Sequence, residues 1–296
     1  MPYVYLFFST FFSASIAVFA TFYNRRNEGK KSISPLYNLL WCSCAFLFWL
    51  VMFLFDGTLD VSVIPYSLLF AAGFVLYTPS IMNALSCGSV ALTSLVAQLS
   101  LVGVSIWGMI FWGDHPSALT FIGLALVAVS LFLCIGYEFL LPSAKRSGNR
   151  QKISLKWVIF ASLTFLSNAI CTIAQKTQQM HHDERYGNFL MMVALGTASL
   201  FCLIMFLRSD KRDAKVIFRR SFYLPMASGI SNALLNLCVI LMAASTLSPS
   251  LIYPTLAVGG IALTTLASAF IFKEKMHLLQ WLGIAVGAVA MGVLSV

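Results

Sequence analysis

The sequence predicts an all-α polytopic membrane protein of ten transmembrane helices, built as two inverted five-helix repeats. Three observations carry that expectation. With 59% hydrophobic and only 10% charged residues in a chain of 296, there is too little polar surface to cover a soluble particle. Ten apolar stretches reach the length, about 20 residues, that a helix needs to cross roughly 30 Å of hydrocarbon. The segment 84–131 also recurs, weakly but continuously, as 244–291. This offset of 160 residues sets Asp114 on Glu274, Gly123 on Gly283, Ala125 on Ala285, Ala128 on Ala288 and Val129 on Val289. Internal duplication of apolar helices is the usual build of secondary transporters.

The stretches run approximately 3–23, 36–55, 62–83, 88–111, 117–138, 155–177, 187–207, 222–243, 249–272 and 276–295. None alternates apolar and polar residues with the dyad period of a barrel strand, so helices are the expected spanners. The first stretch has no basic residue ahead of it and carries its charges behind it, at Arg25, Arg26, Lys30 and Lys31. That asymmetry marks a first helix rather than a cleaved signal. Residues 141–156 are rich in Pro, Ser, Gly and basic side chains, too polar for lipid. They divide the chain into a first repeat (1–140), a cytoplasmic linker (141–156) and a second repeat (157–296). Because five helices precede the linker, the second repeat enters the membrane from the opposite face, and inversion follows.

Numbering alternate loops places seventeen of the nineteen Lys and Arg residues on one side, leaving only Lys176 and Arg185 on the other. Short loops rich in Lys and Arg stay in the cytoplasm, so both termini are expected outside. The same loops account for the net charge of +9 as a basic rim beside anionic headgroups, without nucleic acid. The seven cysteines lie within or at the ends of apolar runs, with no CxxC pair, and suggest no disulfide. The run His181-His182-Asp183-Glu184 has metal-ligand chemistry, but adjacent side chains diverge, and a solvated loop is the expectation. Trp41, Trp112, Trp157 and Trp281 sit near span ends and read as interfacial anchors.

Polar side chains at mid-helix depth face a cavity or another helix rather than lipid. The eighth stretch carries Ser228, Asn232 and Asn236 on one stripe, and the sixth carries Asn168, Thr172 and Gln175 on one face. The fourth has Thr93, Ser94 and Gln98, the third Tyr77 and Ser80, and the first Ser13. In the ninth, Tyr253, Pro254 and the pair Gly259-Gly260 would let the backbone approach a substrate or let the helix bend, which makes Pro254, Gly259 and Gly260 candidate hinge positions. Each such group has a plain alternative as inter-helix glue, contributing about 0.6 kcal/mol per hydrogen bond. We read Ser13, Ser80, Thr93 and the glycines as glue. The large amides recur at comparable depth on several helices, so Asn168, Asn232, Asn236, Gln98 and Gln175, with Tyr77, Tyr253 and Thr172, are the expected substrate-binding set.

The residues Ser250-Leu-Ile-Tyr-Pro-Thr-Leu-Ala-Val-Gly-Gly, then Phe272-Lys-Glu-Lys-Met and Gln280-Trp-Leu-Gly-Ile-Ala-Val-Gly, resemble the C-terminal repeat of EamA-like members of the drug/metabolite transporter superfamily. The first repeat matches less closely, with Trp112-Gly-Asp114-His at the hinge and Asn83-Ala-Leu resembling the end of the third helix. The resemblance implies a five-plus-five duplication, both ends on one face, and a central cavity lined by the first, third, fourth, sixth, eighth and ninth helices. Many relatives carry a basic residue ahead of the first helix; this chain does not.

All ten acidic residues fall in loops or at helix ends. A proton-coupled cation antiporter keeps an ionisable group at the midplane despite its insertion cost of about 2.5–3.5 kcal/mol. The expected activity is therefore alternating-access transport of a small neutral or zwitterionic metabolite, such as an amino acid, sugar or nucleoside. A lipid or isoprenoid-carrier flippase of the same superfamily is the alternative, although a phosphate headgroup would want Arg or Lys inside the bundle. An intramembrane enzyme is remote, because His115, His181, His182 and His277 all lie in loops or at ends. The expectation is thus no enzyme, no cofactor, no metal and no nucleic acid. Its partners are a small-molecule substrate and the lipid bilayer of a bacterial plasma (inner) membrane, with a homodimer left open.

Overall fold

A computed structural model describes residues 2–31, 33–88, 90–113, 117–140, 154–182, 186–243, 249–272 and 278–294. These residues form α-helices and connecting turns, with no strand among them. In chain order the helices are α1 (Pro2–Arg26), α2 (Ile33–Asp56), α3 (Ile64–Cys87), α4 (Val90–Phe111), α5 (Ala118–Leu140), α6 (Leu155–His181), α7 (Gly187–Arg208), α8 (Ala214–Ser221), α9 (Tyr223–Ala243), α10 (Pro249–Phe270) and α11 (Leu278–Leu294). Six of them, α1, α2, α3, α6, α7 and α9, are long and apolar enough to cross a membrane. Shorter apolar helical segments fall at Val96–Phe111, Ala118–Ser130, Leu251–Ala267 and Trp281–Ala290. The architecture is that of a polytopic membrane protein.

Local sequence explains where the helices stop. Gly29, Gly57 and Gly113 follow α1, α2 and α4 with φ of +76°, +65° and +68°, the left-handed conformation that ends helices at little cost for glycine. Ser154 caps α6 by accepting from the Trp157 backbone N–H at 3.1 Å. Asp60 caps a 3-10 turn, Val61–Val63, ahead of α3. Pro79 and Pro254 lie inside α3 and α10 without ending either helix.

The strongest pairings are α3 on α6, α1 on α9, α2 on α7, α4 on α10 and α5 on α11. Next come α1 on α10 and α2 on α9, then α3 on α7 and α4 on α6. Lipid tails are as apolar as leucine, so these contacts gain from close packing rather than from hydrophobic burial. Small residues supply that closeness. A Cβ on Gly73 of α3 would lie 2.8 Å from the Cys171 sulfur of α6, and one on Gly229 of α9 would lie 2.7 Å from the Trp41 carbonyl oxygen of α2. The interior holds a connected aromatic series: Tyr23 to Tyr37 at 4.9 Å between centroids, Tyr37 to Trp41 and Trp41 to Phe74 each at 5.6 Å, and Phe74 to Phe70 at 5.9 Å. Large apolar side chains such as Leu54, Phe55, Ile110, Phe121, Phe132, Leu200 and Phe270 point outward, a surface suited to lipid and not to water.

Contacts between connections define two ends of the bundle. At one, the Lys31 backbone N–H donates to Asp213 Oδ2 at 2.8 Å, and Lys31 Nζ meets Asp210 Oδ2 at 3.1 Å. The Arg212 backbone N–H and the Lys31 ammonium hold the Asp210 carboxyl below its ordinary range. At the other, His182 Nδ1 lies 3.3 Å from Ser62 Oγ and 3.7 Å from Asp60 Oδ2. The α1–α2 and α7–α8 connections therefore share one end, and the α2–α3 and α6–α7 connections share the other.

The sequence gives no signal for α8, whose eight residues bury Ala214, Ile217 and Ser221 and close with Arg219 and Arg220. Two of the expected interfacial tryptophans differ as well. Trp41 is only 1% exposed and packed among the core rings, and Trp157 is buried with its indole N–H donating to Thr93 Oγ1 at 3.0 Å. Tertiary packing overrides the interfacial preference at both. Trp281 does lie on the outer surface. Residues 141–153, Asp114, His115, Asp183, Glu184, Arg185, Lys273, Glu274 and His277 lie outside the described residues, as do most of the proposed linker and both charged hinges.

Candidate functional site

Where α1, α2, α3, α4, α6, α9 and α10 converge, they enclose a cavity of about 120 Å³, room for several water molecules. The third helix contributes Tyr77, the fourth Gln98, the sixth Asn168, Thr172 and Gln175, the ninth Asn232 and Asn236, and the tenth Tyr253. All eight residues expected at a binding site thus line one hollow, drawn from five helices on both sides of residues 141–153. Helical periodicity explains the grouping: Asn168, Thr172 and Gln175 share a face of α6, as do Asn232 and Asn236 on α9.

Most of these amides are anchored. Asn168 Nδ2 donates to Ser100 Oγ at 2.7 Å and to the Ala97 carbonyl at 3.2 Å, tying α6 to α4. Gln98 Nε2 donates to Ser13 Oγ at 2.8 Å, tying α4 to α1. Asn236 Nδ2 donates to the Asn232 carbonyl at 2.9 Å, and the Thr172 hydroxyl returns to the Asn168 carbonyl at 3.0 Å. These side chains are at once inter-helix or intra-helix ties and cavity wall, so glue and lining are not exclusive roles.

Two lining side chains carry a nitrogen donor that is not anchored and is itself sealed from the hollow. Trp41 Nε1 and Gln175 Nε2 are buried and find no acceptor among the described residues. A buried donor left so costs about 1–3 kcal/mol.

The remaining sequence candidates distribute differently. Ser228, on the same stripe as Asn232, is taken by the Tyr37 hydroxyl at 2.7 Å and lies off the cavity. Thr93 serves Trp157, and Ser80 is buried away from the hollow, as glue would be. Ser13 belongs to the wall although expected only to pack. Pro254 is continuous with the helix on either side. At Gly259 and Gly260 α10 packs tightly on α1 and α4: a Cβ would lie 2.6 Å from Thr10 Cγ2 at the first and 2.7 Å from Gln98 Nε2 at the second. Trp41, Thr264 and the aromatic pair Phe70 and Phe74 also line the cavity. Thr264 was open to the mid-depth argument; Trp41 was masked by its residue type, which signals an interface.

Among the described residues that line the cavity there is no Asp, Glu, Lys, Arg or His. Among the described residues no group of three His, Cys, Asp or Glu side chains is placed to hold a metal ion. The wall can therefore solvate dipoles, hydroxyls and a ring face, but offers no fixed charge.

No family model matches the chain, and no curated protein matches it. Among solved structures, one described only as the crystal structure of a protein superposes with a TM-score of 0.64 at 12% identity, covering 97% of this chain and 98% of that one. At that identity the match establishes a shared fold over nearly the whole of both chains.

Proposed function

We propose that the protein is a secondary transporter that carries a small neutral or zwitterionic metabolite across a membrane by alternating access. The observation that carries this is the convergence of eight mid-depth polar side chains from five helices on one uncharged hollow. Polar groups in a membrane bundle are retained where they serve a path or a ligand, and the hollow is where five separate helices spend them.

The proposal includes ten spans, taking α4, α5, α10 and α11 as the remaining four, in two inverted repeats of the kind seen in EamA-like members of the drug/metabolite transporter superfamily. Two features support the repeat. With the short α8 set aside, advancing each helix by five positions exchanges α3–α6 with α1–α9, α4–α6 with α1–α10 and α3–α7 with α2–α9, while α2–α7, α4–α10 and α5–α11 map onto themselves. In addition, Cys42 and Cys202, separated by the same 160 residues as the sequence repeat, meet with sulfurs 3.5 Å apart, as equivalent residues at a two-fold axis must. The orientation proposed puts the basic connections, including Lys31 and Arg212, in the cytoplasm of a bacterial cell and both termini outside.

That the described lining residues include no cation weighs against a phosphate-bearing lipid carrier as cargo. Reconstituted protein tested for uptake of labelled amino acids, sugars and nucleosides should transport at least one class. Asn168→Ala and Asn232→Ala should abolish that uptake without lowering expression. Unchanged transport in both variants would return these amides to a purely packing role.

A further inference from the structure

We propose that a groove on the outside of the bundle, between the last turn of α1, the first turn of α9 and the end of α10, holds one anionic phospholipid. Its phosphate meets Arg25 and Arg26, and an acyl chain follows the outer face of α9. The inference needs the membrane architecture alone and does not depend on transport.

Three helix ends build the groove. Phe22, Arg25 and Arg26 come from α1, Tyr223 from α9, and Ile271 and Phe272 from the residues that follow α10, around a hollow of about 450 Å³. Both α1 and α9 are long and apolar enough to span, so these ends stand at the level where hydrocarbon gives way to headgroups. Arg25 and Arg26 are exposed, and a ligand arriving from the bilayer can reach them.

Aromatic rings set the two guanidinium groups on the groove's walls. The guanidinium carbon of Arg25 lies 4.5 Å from the centroid of Phe272, which in turn packs on Phe22 at 4.9 Å. That of Arg26 lies 5.8 Å from the centroid of Tyr223, and an Arg26 N–H donates to the Tyr223 hydroxyl. Contacts of this kind hold long, flexible side chains in place before a ligand arrives, which lowers the ordering cost of binding. A guanidinium carries several N–H donors in a fixed fork, and the same fork matches the oxygens of a phosphate. The described residues that line the groove include no Asp or Glu.

A lipid fits this surface better than a soluble phosphate because an apolar track leaves the groove. The face of α9 that carries Tyr223 continues as Met226 and Ile230, at i, i+3 and i+7, and all three side chains are exposed. The track runs from the arginines along the span, as an acyl chain does below its headgroup. Phe270 and Ile271 project outward at the end of α10. A free phosphate would use the guanidinium groups and leave the track bare.

The test reads binding of the first lipid to the full-length protein by native mass spectrometry from a mild detergent. The probes are dioleoylphosphatidylglycerol, dioleoylphosphatidylcholine, whose ammonium offsets its phosphate, and glycerol 3-phosphate, which has no tail. Phosphatidylglycerol should bind about fivefold tighter than phosphatidylcholine or better, the worth of one basic side chain at an anionic surface. Millimolar glycerol 3-phosphate should not displace it. Arg25→Gln with Arg26→Gln should abolish the preference, whereas Arg219→Gln with Arg220→Gln, on the exposed face of α8, should keep it. Should the first pair fail to fold, Arg25→Lys with Arg26→Lys retains the charge, breaks the fork, and should still weaken phosphatidylglycerol severalfold. Equal affinity for the two lipids, displacement by glycerol 3-phosphate, or a preference untouched by the α1 substitutions or lost equally with the α8 pair overturns the proposal. None of these readouts involves solute movement, so failure here leaves the transporter reading standing.

Discussion

Two glycines that face neighbouring helices at the same distance have opposite expected consequences, because what lies opposite differs. A Cβ at Gly260 would sit 2.7 Å from Gln98 Nε2, the far end of a flexible side chain. Gly260→Ala should displace that amide from Ser13 and weaken uptake several-fold, with the melting temperature nearly unchanged. A Cβ at Gly229 would sit 2.7 Å from the Trp41 carbonyl oxygen and 2.8 Å from Cys44 Cβ, neither of which can swing aside. Gly229→Ala should cost about 1–3 kcal/mol, as overpacking of a tight interior does, and a thermal melt in detergent would register the difference. Trp157→Phe should cost less, about 0.6 kcal/mol, for one inter-helix hydrogen bond lost within a membrane bundle. At this scale the sequence was most informative about the amides. Depth and helical phase can be counted from the chain, and the eight residues so chosen lie on one wall. It was least informative about Trp41, since nothing local distinguishes a tryptophan at an interface from one turned into the core, and the glycine contacts depend on partners far away in sequence.

Helices were legible because each apolar run must satisfy its backbone internally, and the observed bounds of α1, α7 and α9 fall within a few residues of the expected runs. α8 was not, because Ala214–Ser221 has the length of a loop and acquires its phase only by burying Ile217 against the bundle. The contact between α2 and α7 offers a direct test at this scale. With Cys42 and Cys202 sulfurs 3.5 Å apart, mild copper-phenanthroline oxidation should yield a peptide linking the two after proteolysis, and Ser43→Cys should not enhance it. Failure to recover that linked peptide would place these helices differently. At the bundle's end, Asp210 is exposed, so its pairing with Lys31 adds little to stability. Because the folded carboxyl is held below its ordinary range, the tie is complete at neutral pH and loosens only as pH falls through that lowered value. Asp210→Asn should therefore leave the melting temperature unchanged at pH 7.

For the molecule as a whole, the reciprocal pairing of helices and the meeting of Cys42 with Cys202 are what an inverted duplication would produce. Two similar units of opposite orientation can exchange shapes, and an exchange of that kind would open the shared hollow first to one compartment and then to the other. Topology is testable separately. Single cysteines at Glu28 and Leu59, both exposed, should be labelled by an impermeant maleimide from opposite sides of the membrane. The most direct measurement concerns the hollow itself. In a background with the native cysteines replaced, Asn232→Cys should react with a small impermeant methanethiosulfonate applied from either face of the same membrane preparation. Reaction from one face only, whatever solute is present, or from neither, would contradict an alternately accessible central site.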